Sequence, residues 1–138
     1  MRADKHTAIG KFRKGYNCCQ AVACAYCGEL GIREEDVFKM TEGFGSGMGG
    51  LKDTCGAAVG MFLIISLASS AGDMEHPKAT KADTYGRILA AAEEFKRRNR
   101  SLYCRELKTE EGSQPLACCM KCVEDAADIL DKYFRRDS

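Results

Sequence analysis

Apolar residues recur at helical spacing along most of the chain. Ala8, Phe12 and Tyr16 lie four apart, and Ala21, Val22, Ala25 and Tyr26 continue one stripe. The alternation that buries one face of a β-strand is nearly absent. This periodicity confines the chain to an all-α fold. With 138 residues, 45% of them hydrophobic, there is enough apolar material for one sizeable core. The expectation is a single domain over residues 1–138, a bundle of about five helices with a glycine-rich loop ahead of the central one. No internal repeat, low-complexity tract or domain boundary interrupts it.

Gly15 weakens the first helix, and Asn17 followed three residues on by Gln20 predicts a capping box that starts the second. Gly31 is its predicted stop, and a short helix over Glu34 to Met40 follows. The segment EGFGSGMGG then reads as a loop, because five of its nine residues are glycine. Asp53 or Thr54 is the expected N-cap of the helix that carries CGAAVGMFLIISLASS. Pro77 suits the first turn of a long helix to about Arg98, Ser101 a cap for a turn holding Cys104, and Pro115 the start of a last helix to about Phe134.

Charge excludes several function classes. Twenty-one basic and 20 acidic residues give a net +1, which supplies no field for phosphate backbones or acidic membranes. The basic run KRRNR at Lys96 to Arg100 falls where a helix C-terminus favours cations. Glu93, Glu94, Glu124 and Asp125 read as ion-paired surface, and His6 and His76 as solvated. The longest apolar run, Ala57 to Ala68, is too short for a bilayer, which takes about 20 residues. The N-terminal stretch lacks the apolar segment of an export signal, so a cytoplasmic protein that binds neither nucleic acid nor membrane is expected.

Nine cysteines are therefore unlike the staples of a secreted domain, since cytosolic reductants keep thiols reduced. Cys18 and Cys19 follow the Asn17 cap, Cys55 follows Thr54, and Cys104 lies within a turn of Ser101. Helix starts offer free N–H groups and a positive dipole end, which favour the thiolate that attacks disulfides and binds metals. Cys24 and Cys27, in mid-helix, suit packing. Cys119 and Cys122 lie one turn apart and can present two sulfurs to one centre. Neither C-x-x-C spacing sits in a βαβ setting or precedes a His, so thioredoxin-type and haem-attachment readings fail. The glycine loop has no preceding strand and no G-K-[ST], which excludes a phosphate loop, but Gly45, Gly47 and Gly49 could form a nest that holds an anionic group.

YNCCQAV, GFGSGMGGLKDTCGAAVG, CREL and a last cysteine ahead of VEDAADIL together resemble the family of redox-active proteins named for its C, CGAxxG, C, C pattern. The resemblance covers nearly the whole chain and implies a small helical redox protein. Its four recurring cysteines match Cys18, Cys55, Cys104 and Cys119. A similar domain occurs in a multihaem cytochrome in association with an iron centre, so an iron–sulfur cluster or metal ion on those sulfurs is one implied cofactor. Cys19, Cys122, Cys24, Cys27 and Cys118 are departures from the pattern, with Cys19 a candidate substitute for Cys18 and Cys122 or Cys118 for Cys119.

Three readings stay open. One is thiol–disulfide chemistry at the four cysteines, with oxidoreductase-like activity. A second is a metal or cluster module for electron transfer, and a third a structural protein with inert thiols. The expected partner is a redox protein or a small-molecule thiol or electron donor, and a homo-oligomer is left open.

Overall fold

Helix α1 (Lys5–Arg13) starts at Asp4, whose side chain accepts a hydrogen bond from the Thr7 N–H, and ends before Gly15. The computed structural model describes residues 4–109 and 115–136. Asn17 Oδ1 accepts from Gln20 N at 2.8 Å and Gln20 Oε1 accepts from Asn17 N at 3.0 Å, closing the expected capping box. It launches α2 (Cys18–Tyr26), which tightens into a 3₁₀ turn at Cys27–Leu30 and stops at Gly31, in the left-handed region at φ 75°. Each residue of α2 is buried, which makes it the axis of the bundle.

Against that axis pack α1, α3 (Glu34–Thr41), α4 (Gly56–Ser69) and α7 (Pro115–Arg136), while α5 (Lys81–Asn99) packs on α4 and α7 and α6 (Cys104–Thr109) on α7. The short α3 and α6 account for the excess over five. Two glycines set how closely α4 approaches α2. A Cβ on Gly60 would lie 2.7 Å from the Cys19 carbonyl oxygen and 3.2 Å from Val22 Cβ, and one on Gly56 would lie 2.8 Å from Cys18 Sγ. Both helices therefore meet backbone to backbone, and the spacing of four residues in CGAAVG is the spacing of one contact face. On the other side, the Tyr26 hydroxyl reaches the Ala127 carbonyl oxygen at 2.9 Å and Asp131 Oδ1 at 2.7 Å, tying α2 to α7.

Two predicted starts shift. The N-cap of α4 is Cys55 itself, rather than Asp53 or Thr54. Segments 52–55 and 102–105 are zipped antiparallel: Cys55 N donates to Leu102 O at 2.7 Å and Cys104 N to Asp53 O at 2.6 Å, around an isolated Thr54–Tyr103 bridge. That pairing keeps the backbone extended up to Cys55. Pro77 lies in a turn before α5, which begins at Lys81; Asp73 holds this turn by accepting from the N–H groups of Glu75 and His76.

The glycine segment is more ordered than a loop. Ser46, Gly47 and Met48 follow one another in the left-handed helical region (φ 52°, 68° and 70°), and Gly50 N donates to Ser46 O at 3.1 Å. The chain makes one left-handed turn. Ser46 and Met48 carry a Cβ there at roughly 1–2 kcal/mol each, so the surrounding contacts must enforce the shape. Asp53 N donating to Gly47 O at 3.0 Å is one of them.

The KRRNR run is ion-paired. Arg98 bonds Asp128 at 2.7 Å and Glu94 at 3.0 Å, Lys96 pairs with Glu93, and Arg97 pairs with Glu94. Among the described residues no helix is long and apolar enough to cross a membrane.

Gly86, exposed within α5, has nothing within 4 Å of a built Cβ. Gly86→Ala should stabilise the protein by about 1 kcal/mol through the lower backbone entropy of the unfolded chain. Urea unfolding at equilibrium checks it; a loss of stability would mean that this face of α5 is covered.

Candidate functional site

Three chain segments deliver thiols to one place. Cys18 is the first residue of α2, Cys55 caps α4, and Cys104 opens α6. The Thr54–Tyr103 bridge positions the last two. Cys55 and Cys104 each lie one residue from the bridging pair, on the same face of the ladder and diagonal to each other. Cys18 reaches them because Gly56 has no side chain: its sulfur lies 2.8 Å from the place a Gly56 Cβ would take, next in sequence to Cys55. Gly47 does the same for Cys104, whose Cβ lies 2.7 Å from the place a Gly47 Cβ would take.

These sulfurs, with Cys119 and Cys122 from α7, line a cavity of about 210 Å³ whose other walls include Phe12, Asn17 and Leu107. At about 30 Å³ per water, the cavity has room for several waters. Cys18, Cys55, Cys104 and Cys122 are buried and Cys119 is half-buried. All eight cysteines with described side chains are present as thiols; the Cys118 side chain lies outside the described residues.

The other proposed site residues are distributed differently. Gly47 lines the cavity, Gly45 packs on the Asn17 side chain, and Gly49 is exposed beside the Gly43 carbonyl. Cys19 is not among the residues lining the cavity and is fully buried. Cys24 and Cys27 pack at the far end of α2, near the Glu34 carbonyl and the Cys24 carbonyl respectively. Phe12 and Asn17 are wall residues that sequence did not single out for this role. For Asn17 a signal existed, since the residue that caps α2 must stand next to Cys18.

Electrostatics separates the thiols. Cys55 is held below the usual thiol range: the Cys122 side chain hydrogen-bonds its sulfur, and the Ala58 and Ala57 N–H groups of the first turn add to this, outweighing burial. Burial dominates elsewhere, and at Cys24 and Cys27 it outweighs the opposing charge of Lys11. It pushes Cys19 up to about 12, helped by the neighbouring Cys18, and pushes Cys24 up to about 12, helped by Cys27. Cys27 is raised for the same first reason.

The raised pair has a consequence for stability. A thiol whose folded pKa is about 12, against 9.0 when unfolded, loses its proton first in the unfolded chain. Its contribution is complete below pH 9 and is lost as pH climbs from 9 to 12. The urea midpoint should therefore fall across that window, and the fall should be shallower in the Cys19→Ala, Cys24→Ala double variant. Equal slopes would show that other groups, such as the buried Tyr26 hydroxyl, carry the dependence.

An all-α chain whose helix starts and last helix bring five cysteines, among the described residues, to one cavity is a helical thiol-cluster protein. A family model described as "Putative redox-active protein (C_GCAxxG_C_C)" matches residues 16–133, and the chain belongs to that family. There is no match among curated proteins or among solved structures.

Proposed function

We propose that the protein works by thiol–disulfide exchange, with Cys55 as the attacking thiolate and the cavity as the place where a disulfide meets it. The observation that carries this is the environment of Cys55: a helix N-cap, a sulfur hydrogen-bonded by Cys122, and N–H groups of Ala57 and Ala58 favouring negative charge. Cys18, Cys104 and Cys119 share the cavity and are within the reach of the same chemistry. The disulfide comes from a redox partner protein or a small-molecule disulfide, and a dithiol reductant returns the site to its starting state. Among the described residues no His or carboxylate lines the cavity, so the ionisation of the attacking group is set by the fold around it.

A second reading rests on the donor set. Thiolates suit soft metals and iron–sulfur clusters, and the cavity is larger than a disulfide alone requires. Cys18, Cys55, Cys104 and Cys119 would hold such a group, which would supply one-electron transfer. Among the described residues, no three His, Cys, Asp or Glu side chains are yet arranged around one ion, so the sulfurs would have to draw together. The exchange reading needs only pairs.

Protein purified without oxygen distinguishes the readings. Thiol titration before and after addition of a small-molecule disulfide should show thiols lost in pairs from a colourless, metal-free chain. Charge-transfer absorption with stoichiometric iron would establish the second reading instead. Thiols that react only after denaturation would make the cluster structural.

A further inference from the structure

The family pattern counts four cysteines, yet among the described residues five sulfurs line the cavity. The fifth, Cys122, is the one whose side chain bonds Cys55. We propose that Cys122 is the resolving thiol of this site, closing an intramolecular disulfide with Cys55 after Cys55 has attacked a disulfide-bearing substrate. This rests on the exchange reading and names the partner within it.

Geometry favours Cys122 over its rivals. Cys119 and Cys122 are one turn apart on α7 and both face the cavity, but Cys122 is 3% exposed whereas Cys119 is half-buried. The deeper sulfur is the one in hydrogen-bond contact with Cys55. A hydrogen-bonded pair needs only to close to the sulfur–sulfur distance of about 2.0 Å. Cys18 is held over Gly56 by the start of α2, and Cys104 is pinned through its own N–H to Asp53 O at 2.6 Å, so both depend on backbone-fixed segments. Cys122 sits in mid-helix, where a side-chain rotation moves its sulfur without moving the chain.

The chemistry balances in two displacements. Cys55 Sγ attacks one sulfur of a substrate R–S–S–R′, forming Cys55–S–S–R and expelling R′S⁻, which is protonated to R′SH. Cys122 then gives up its proton and attacks Cys55 Sγ, forming the Cys55–Cys122 disulfide and releasing RS⁻, protonated by the proton Cys122 lost. The substrate disulfide gains two electrons and the two protein thiols lose two, so an external dithiol of the same class as a cellular reductant must restore them.

Disulfide mapping by mass spectrometry tests this on the full chain, reduced without oxygen and then treated with oxidised glutathione. In the unchanged protein the expected product is a Cys55–Cys122 linkage. In Cys122→Ser the reaction should stop at a Cys55–glutathione adduct, whereas Cys119→Ser should close the disulfide as the unchanged chain does. A linkage from Cys55 to Cys18, Cys104, Cys118 or Cys119 in the unchanged protein would overturn the assignment and leave the exchange reading standing. Failure of Cys55 to react at all, in the unchanged chain and in Cys122→Ser, would overturn both. The mapping of the unchanged protein is decisive even if a variant misfolds.

Discussion

Cys55→Ser, reduced and then exposed to a small-molecule disulfide at neutral pH, should form the first mixed disulfide more slowly than the unchanged chain by at least on the order of a thousandfold, as when an enzyme loses its nucleophile. A serine hydroxyl keeps the shape of the residue and its place at the N-cap, where serine is a favoured residue, so the fold should survive. What disappears is the group on which the local electrostatics converge. Cys122, the Ala58 and Ala57 N–H groups and the start of α4 all favour negative charge at that one sulfur. Stopped-flow measurement of thiol loss, with a melting curve as the control for folding, gives the answer. If the fast phase persists in a folded Cys55→Ser protein, the attacking thiol is another of the cavity cysteines and the proposed role of Cys55 is wrong.

Gly60→Val is expected to have the largest effect on stability, about 3 kcal/mol, at the upper end of ordinary overpacking. A Cβ at that position would stand 2.7 Å from a carbonyl oxygen of α2, and backbone cannot rotate out of the way as a side chain does. The helices must separate, and the separation is felt along the whole contact because α2 is buried throughout. For a domain with a total stability of about 5–15 kcal/mol, that is a large share. Urea unfolding against the unchanged chain measures it, with Gly86→Ala as a glycine substitution in open space that should move the other way. A loss for Gly60→Val below about 1 kcal/mol, smaller than overpacking usually costs, would mean that α4 slides freely on α2.

These two residues stand five apart in CGAAVG and show why that motif recurs as a unit. Cys55 supplies the sulfur, Gly56 leaves room for Cys18 beside it, and Gly60 lets α4 lie close enough to α2 for both sulfurs to share a cavity. Neither glycine is needed for its backbone freedom; both are needed for the volume they lack.

The helices were legible because their determinants are local. The Asn17–Gln20 box, Gly31 and Pro115 act within a few residues of the boundaries they set, and each boundary stands where these residues place it. Boundaries set by distant partners were not legible. Asp53 and Thr54 are good caps by type, but pairing with residues 102–105 keeps that stretch extended and passes the cap to Cys55. The composition of EGFGSGMGG argued correctly against an ordinary right-handed helix and could not reveal a left-handed turn, since that shape depends on contacts such as the one between Asp53 and Gly47.

By itself, then, the sequence determined an all-α fold, the capped start that presents Cys18, and membership in a redox-active family, because periodicity, caps and motif spacing are properties of neighbouring residues. Only the tertiary structure decided which thiols share a cavity and how they differ. Cys18 and Cys19 are adjacent in sequence, yet one lines the cavity and the other is fully buried away from it with its pKa raised to about 12. Cys55 and Cys122 are far apart in sequence and in hydrogen-bond contact. Ionisation depends on burial and on the groups that face the sulfur, and both are set by how the helices cross.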